Sequence, residues 1–199
     1  MDKMNTIQFF KLHHYRLHFE KGGLQNRIDG LTDEQMRLCP NNLNSIAWML
    51  WHLTRCEDVG INRLVCENTQ VFDENNWAEK LNVSRRDIGT SMTYQEVIDL
   101  SSQININALR NYNLEVAKKI QSSIDNIEPE DLDKIPEPEY LHKVLFEEGS
   151  LCKNSEWVAE HYSNKTKGWF LGHLGLTHGK GHLGQILFIR KLQGLGSGE

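Results

Sequence analysis

Apolar residues recur at helical spacing along most of the chain, and nowhere do they alternate with polar residues at strand spacing between turn signals. The pattern predicts an all-α protein. Phe9, Phe10, His13, Leu17 and Leu24 share one side of a first helix from about Thr6 to about Asp29, interrupted near Gly22 and Gly23 because glycine weakens a helix interior. The most hydrophobic segment, IAWMLWHLTRCEDVGINRLV, predicts a second helix that starts after Asn44 or Ser45, both good N-caps, and runs to about Glu67. Residues 68 to 92 are polar and form a long connection with a short helix near Trp77 to Leu81. Thr93-Tyr94-Gln95-Glu96 matches the capping box, in which hydroxyl and carboxylate satisfy each other's backbone N–H groups, and opens a third helix to about Asn126.

Pro129, Pro136 and Pro138 then forbid continuous helix. Short helices are expected around Leu141 to Phe146 and Glu156 to His161, and Leu145, Phe146, Trp157 and Val158 call for burial. The segment from Glu128 to Lys165 therefore covers one end of the molecule as an irregular excursion, and acts as a lid if the functional site opens there. A last helix runs from about Thr166 to Gln193 and stops at Gly194, a suitable C′ residue. Four long helices with connections of unequal length predict a four-helix bundle with long crossover connections, a single domain over residues 1–193 followed by a flexible tail at 194–199. Trp48, Met49, Val59, Leu171, Leu174 and Ile189 are expected in its core.

Composition narrows the function. A formal charge of -5 and a pI near 6.0 disfavour a surface that neutralises phosphates, so nucleic acid is not an expected partner. The N-terminus has no uninterrupted apolar h-region, and no apolar run approaches the about 20 residues a membrane helix needs, so no membrane partner is expected and the location should be cytoplasmic. Cys39, Cys56, Cys66 and Cys152 show no CxxC spacing, and are expected as reduced thiols, mostly buried.

The segment THGKGHLGQILFIRKLQG carries the candidate chemistry. At about 100° per residue His178 and His182 differ by about 40° and lie one turn apart, where both can grip one ion. His173 falls about 140° from His178 and is expected outside the site. A divalent metal usually takes at least a third protein ligand, and His52, in the middle of the apolar second helix, is the best candidate; its competing role is that of a hydrogen-bonded core residue. His14 and His18 repeat the four-residue spacing, but beside Arg16 and Lys21, near a frayed end and with no evident third partner, they form the weaker pair. Six glycines between Gly168 and Gly184 oppose helix formation by roughly 1 kcal/mol each. Tertiary contact, and metal ligation, must compensate.

The stretches NSIAWMLWHLTRCEDVGINRLV and HGKGHLGQILFIRKL together resemble the DinB-like superfamily, four-helix bundles with a histidine in the second helix and a terminal HxxxHxGQ motif. The resemblance implies a divalent metal, zinc or nickel foremost, held by His52, His178 and His182, with Gly184 and Gln185 matching the GQ; the Gly179-Lys180-Gly181 insert departs from the bulkier residues expected there. Gln185 would support a histidine or the water from behind. Superfamily members include bacillithiol S-transferases and mycothiol-dependent isomerases, which implies a small-molecule substrate and a low-molecular-weight thiol cofactor. Arg55, within about 60° of His52 on its helix, and Arg63, further along, could meet a carboxylate of such a cofactor; ion pairing within the protein is their competing role. Glu57 and Asp58 point well away from His52. A non-catalytic metal-binding stress protein and a metal-dependent hydrolase are the alternative readings, the catalytic group stays open, and a homodimer is a partner state the sequence leaves open.

Overall fold

In the computed structural model, which describes residues 4–198, Asn5 opens the first helix with a capping box: its side chain accepts from the Gln8 N–H and the Gln8 side chain accepts from its own. Helix α1 (Thr6–His18) is followed by a short α2 (Leu24–Ile28). The break falls at the predicted glycines for a packing reason. A Cβ at Gly23 would sit 2.7 to 2.9 Å from the Arg16, Leu17 and Glu20 carbonyl oxygens, and Gly22 has φ +83°. Thr32 and Gln35 form another capping box for α3 (Asp33–Arg37), which the hydrophobic pattern was too short to reveal.

Ser45 caps α4 (Ile46–Glu57), and every residue of this helix is buried. It continues through a π-helical stretch, Asp58–Val65. The short α5 (Trp77–Leu81) lies in the first long crossover as expected. The third predicted helix divides into α6 (Tyr94–Gln103), opened by the Thr93 capping box, and α7 (Ile106–Ser123), because Asn105 starts a new cap by accepting from the Ala108 N–H. The second crossover contains α8 (Pro138–His142), a π-helical turn at Lys143–Glu147, and α9 (Trp157–Tyr162). The last rod consists of α10 (Lys167–Gly172), a π-helical stretch His173–His178, and α11 (Gly179–Leu192).

Four rods close a ring. The α1 helix packs on α7 and on the π-helical stretch of the last rod, and α4 packs on α7 and α11. Two glycines permit the closest of these approaches. A Cβ at Gly175 would lie 2.6 Å from the Phe10 ring and 2.8 Å from Ile61, and one at Gly179 would lie 2.5 Å from Leu17. Gly181 and Gly184 have nothing within 4 Å of that position, so only part of the glycine run is explained by packing. No strand forms among the described residues, and no helix is long and apolar enough to cross a membrane.

The six expected core residues are all buried. Other expectations need correction. Phe10, Leu17 and Leu24 are buried as expected, but Phe9 is 50% exposed and His14 and His18 share the inner face, so the second histidine pair is fully enclosed rather than frayed. Leu145 and Val158 are buried, while Phe146 and Trp157 are exposed. Only Cys56 among the four free thiols is fully buried. Residues 194–198 fold back: the Leu195 N–H donates to the Arg190 carbonyl, and the guanidinium groups of Arg190 and Arg27 donate to the carbonyls of Gly196 and Ser197.

Candidate metal centre

The middle of α4 and the junction between the last π-helical stretch and α11 face each other across a small gap. His178 Nε2 lies 3.2 Å from His52 Nε2 and 3.1 Å from His182 Nε2. Each outer ring is oriented from behind. His52 Nδ1–H donates to the Ile88 carbonyl, and His182 Nδ1–H donates to Gln185 Oε1 at 2.8 Å. A carbonyl can only accept, so both rings present an unprotonated Nε2 to the centre. The Trp48 ring stacks on His52 at 4.8 Å with planes 9° apart and meets His182 edge-on, fixing both planes.

The electrostatics keep these rings neutral. Burial, with help from His182, pulls the His52 pKa down to about 4. Burial together with its histidine neighbours takes His178 to about 2, and burial lowers His182 against the opposing Gln185 hydrogen bond. A proton on His178 Nε2 can bond only one of the two outer nitrogens at a time, whereas a cation between the three rings would satisfy all of them. Tetrahedral zinc with nitrogen ligands at 2.0 to 2.1 Å sets ligand atoms roughly 3.3 Å apart, so the donor set fits a divalent ion. Cys56 is also close, its Sγ 3.8 and 3.9 Å from the two His52 nitrogens. Near-equal distances place the sulfur beside the ring rather than in line with Nε2, and burial raises the thiol's pKa, so it lines the site as a neutral group. His52, Cys56 and His178 each offer a ligand atom within 4.8 Å of the other two, and His182 Nε2, 3.1 Å from His178 Nε2, offers a better-aligned third donor than the sulfur.

These groups open into a cavity of about 380 Å³. Trp48, Met92, Val97 and Leu174 make much of its wall apolar, and Trp157, His161 and Tyr162 of α9 close it from the second crossover. The irregular excursion over residues 128–165 thus contributes α9 to the cavity wall, so the end it covers is the one where His52 and His178 open. The two crossovers are joined over the site: the Ile88 N–H donates to the Ser150 carbonyl, and the Cys152 thiol donates to that of Thr90. Asp87 turns this loop by accepting from the Gly89 N–H at 2.8 Å, aiming the Ile88 carbonyl at His52. The Asp-x-Gly sequence signals such a turn, but not which ring it holds.

His173, expected outside the site, lines the cavity with its ring 6.0 Å from that of His178. The cause is local winding. Bonds from i to i+5 bring residues five apart onto one face, whereas an α-helix turns them about 140° apart.

Neither arginine expected at the cofactor lines the cavity. Arg55 is fully buried and turned into the protein, donating to Asp58, Tyr112, Gln70 and the Arg86 carbonyl. A buried guanidinium requires a counter-charge, and Asp58, three residues on, supplies it. Asp58 in turn accepts from Tyr112, Asn62 and the N–H groups of Val71 and Phe72, pinning the first crossover to α4. Arg63 is paired with Glu148 at 2.7 Å and bonded to Tyr140.

A model of the DinB superfamily matches residues 16–186. A crystal structure of a conserved protein from Enterococcus faecalis is similar with a TM-score of 0.66, covering 96% of this chain and 98% of that one at 18% identity, a likeness that speaks to the fold. No curated protein matches the chain. The family match spans both histidine-bearing segments and most of the bundle between them, and the chain belongs to the DinB superfamily.

Proposed function

We propose that the protein is a divalent-metal enzyme in which His52, His178 and His182 hold zinc or nickel and a low-molecular-weight thiol is transferred to a small, largely apolar electrophile. The observation that carries this reading is the convergence of three neutral imidazoles on His178 Nε2, two of them oriented to present a bare Nε2, beside a cavity that His52 and His178 line and that is large enough for a small molecule. A structural zinc site is closed by four protein ligands, whereas three with room beside them suit catalysis. When bound, the ion would act as a Lewis acid that lowers the pKa of a thiol or water beside it.

The chain's own residues do the rest. Ile88 and Gln185 hold the two outer rings in the ligating tautomer. Trp48, Leu174 and Val158 exclude water and take up the apolar part of the substrate, and His161 and His173 are the groups placed to accept or return a proton at the wall. No lysine or arginine lines the cavity, so a carboxylate on the thiol would have to lie at its mouth, in solvent.

The test is turnover of a chromogenic electrophile with each of several low-molecular-weight thiols, after metal loading, with elemental analysis of the same preparation. Thiol-dependent turnover that disappears in His52→Ala together with the metal supports the reading. Metal bound at His52 with no turnover for any thiol leaves a metal-binding protein without this activity. Turnover that needs no thiol identifies a hydrolase instead.

A further inference from the structure

We infer that the bundle has a second, enclosed divalent-metal site formed by His14 and His18 of α1 and Glu57 of α4. All three side chains are fully buried. Glu57 Oε1 lies 3.0 Å from His18 Nε2 and 3.8 Å from His14 Nε2, and one ligand atom from each residue fits within 4.8 Å of the other two. Those separations bracket the roughly 3.3 Å between ligand atoms of a tetrahedral zinc ion. Two imidazoles and one carboxylate are a recognised donor set for zinc and for other first-row divalent ions.

The strongest sign is what lacks a partner. His14 Nε2 and Glu57 Oε2, which face into the cluster, and His18 Nδ1 are buried with no hydrogen bond. Buried polar groups in proteins are mostly satisfied. Among the described residues Glu57 forms no ion pair with lysine or arginine, and its partners there are these two imidazoles. One divalent ion would supply the charge that the carboxylate lacks and occupy the gap between the two rings and the carboxylate.

The ring of His14 is supported from behind. Gln121 of α7 holds the ring, its amide nitrogen donating to the Lys11 carbonyl at 3.1 Å and to His14 Nδ1 at 2.9 Å, so the neutral ring carries its proton on Nε2, which an ion would displace on binding. Gln121 also borders a surface groove with Lys11, Tyr15, Phe19 and Lys118, so the His14 side of the cluster lies nearest to solvent there. This site shares no residue with the first. Cys56 faces the first cavity and Glu57, its neighbour, faces α1, so α4 separates the two.

The test counts zinc per chain by elemental analysis and by titration into chelator-stripped full-length protein, in the presence of a weak competing chelator that removes surface-bound ions. Wild type should hold two ions. The His52→Ala/His178→Ala double variant should hold one, because the α1–α4 cluster is untouched, and Glu57→Gln should hold one. Cobalt in the double variant should show the intense visible absorption of a four-coordinate N/O site. One ion in wild type and none in the double variant overturns the second site while sustaining the first. One ion in both sustains the second site and removes the first. If Glu57→Gln fails to fold, judged by circular dichroism, the double variant alone decides between these outcomes.

Discussion

The glycines of the last rod give the sharpest test of the packing. Alanine at Gly175 must place its methyl carbon 2.6 Å from Phe10 Cε2, 2.9 Å from Phe10 Cζ and 2.8 Å from Ile61 Cδ1, well inside contact distance. The phenyl ring cannot yield by a small torsion, because it is buried between α1 and the last rod and stacks near His14. Overpacking of this kind costs about 1 to 3 kcal/mol, and contact on two sides puts Gly175→Ala toward the upper end. Replacing glycine by alanine returns up to about 1 kcal/mol of helix propensity, leaving a net loss of about 1 to 2 kcal/mol. Gly181 and Gly184 lie in the same rod with open space around them, so Gly181→Ala and Gly184→Ala should each gain about 0.5 to 1 kcal/mol. In a chain of this size those changes move Tm by about 2 to 4 °C per kcal/mol, in opposite directions for the two classes. Thermal and urea denaturation of the metal-free variants measure both. If Gly175→Ala is as stable as the other two, the contact between α1 and the last rod is not as described.

Acid should destabilise the metal-free protein. His52 and His178 stay neutral when folded, with pKa values of about 4 and about 2, while the unfolded chain takes up protons below about 6.5. The unfolded state then binds more protons, so stability falls as pH drops from about 6.5 toward 4, by about 3 kcal/mol from His52 alone. A Tm flat across that window in wild type, or equally steep in His52→Gln, would contradict this. Asp58→Asn should cost about 3 to 5 kcal/mol with little change in metal content, because it strands the buried Arg55 charge away from the metal centre; urea melts and elemental analysis check the two halves. Metal at a thousandfold excess over its dissociation constant should raise stability by about 4 kcal/mol in wild type, and calorimetry should find that gain reduced in His182→Ala.

How far the sequence could be read follows the range of the interactions. Helix starts were legible where a cap lies within three residues of its target, as at Ser45 and Thr93. The inward face of the last rod was legible because Leu171, Leu174 and Ile189 repeat at helical spacing. Winding was not. The sequence gives no sign that His173–His178 is π-helical, and that change alone moves His173 from the far side of the helix to the cavity wall. Arg55 illustrates a second limit. Its angle from His52 placed it near the site, but its buried countercharge, its Tyr112 partner 57 residues away and the Arg86 carbonyl were decided by tertiary structure.

The same reasoning explains how α4 can be entirely buried although it carries His52, Arg55, Cys56 and Glu57. A helix enclosed on all sides must give each polar side chain its own partner, and this one distributes them by direction. His52 turns to the last rod, Arg55 to Asp58 and Tyr112, and Glu57 to the histidines of α1. Arg55 is closed within protein atoms, with hydrogen bonds to charged and neutral acceptors on three segments. His52 and Glu57 end instead among the ligating atoms of other histidines. The Arg55 network shows that the fold can satisfy a buried charge with its own groups, whereas the buried Glu57 carboxylate is met by two imidazoles, and that difference is what the proposed second ion would resolve.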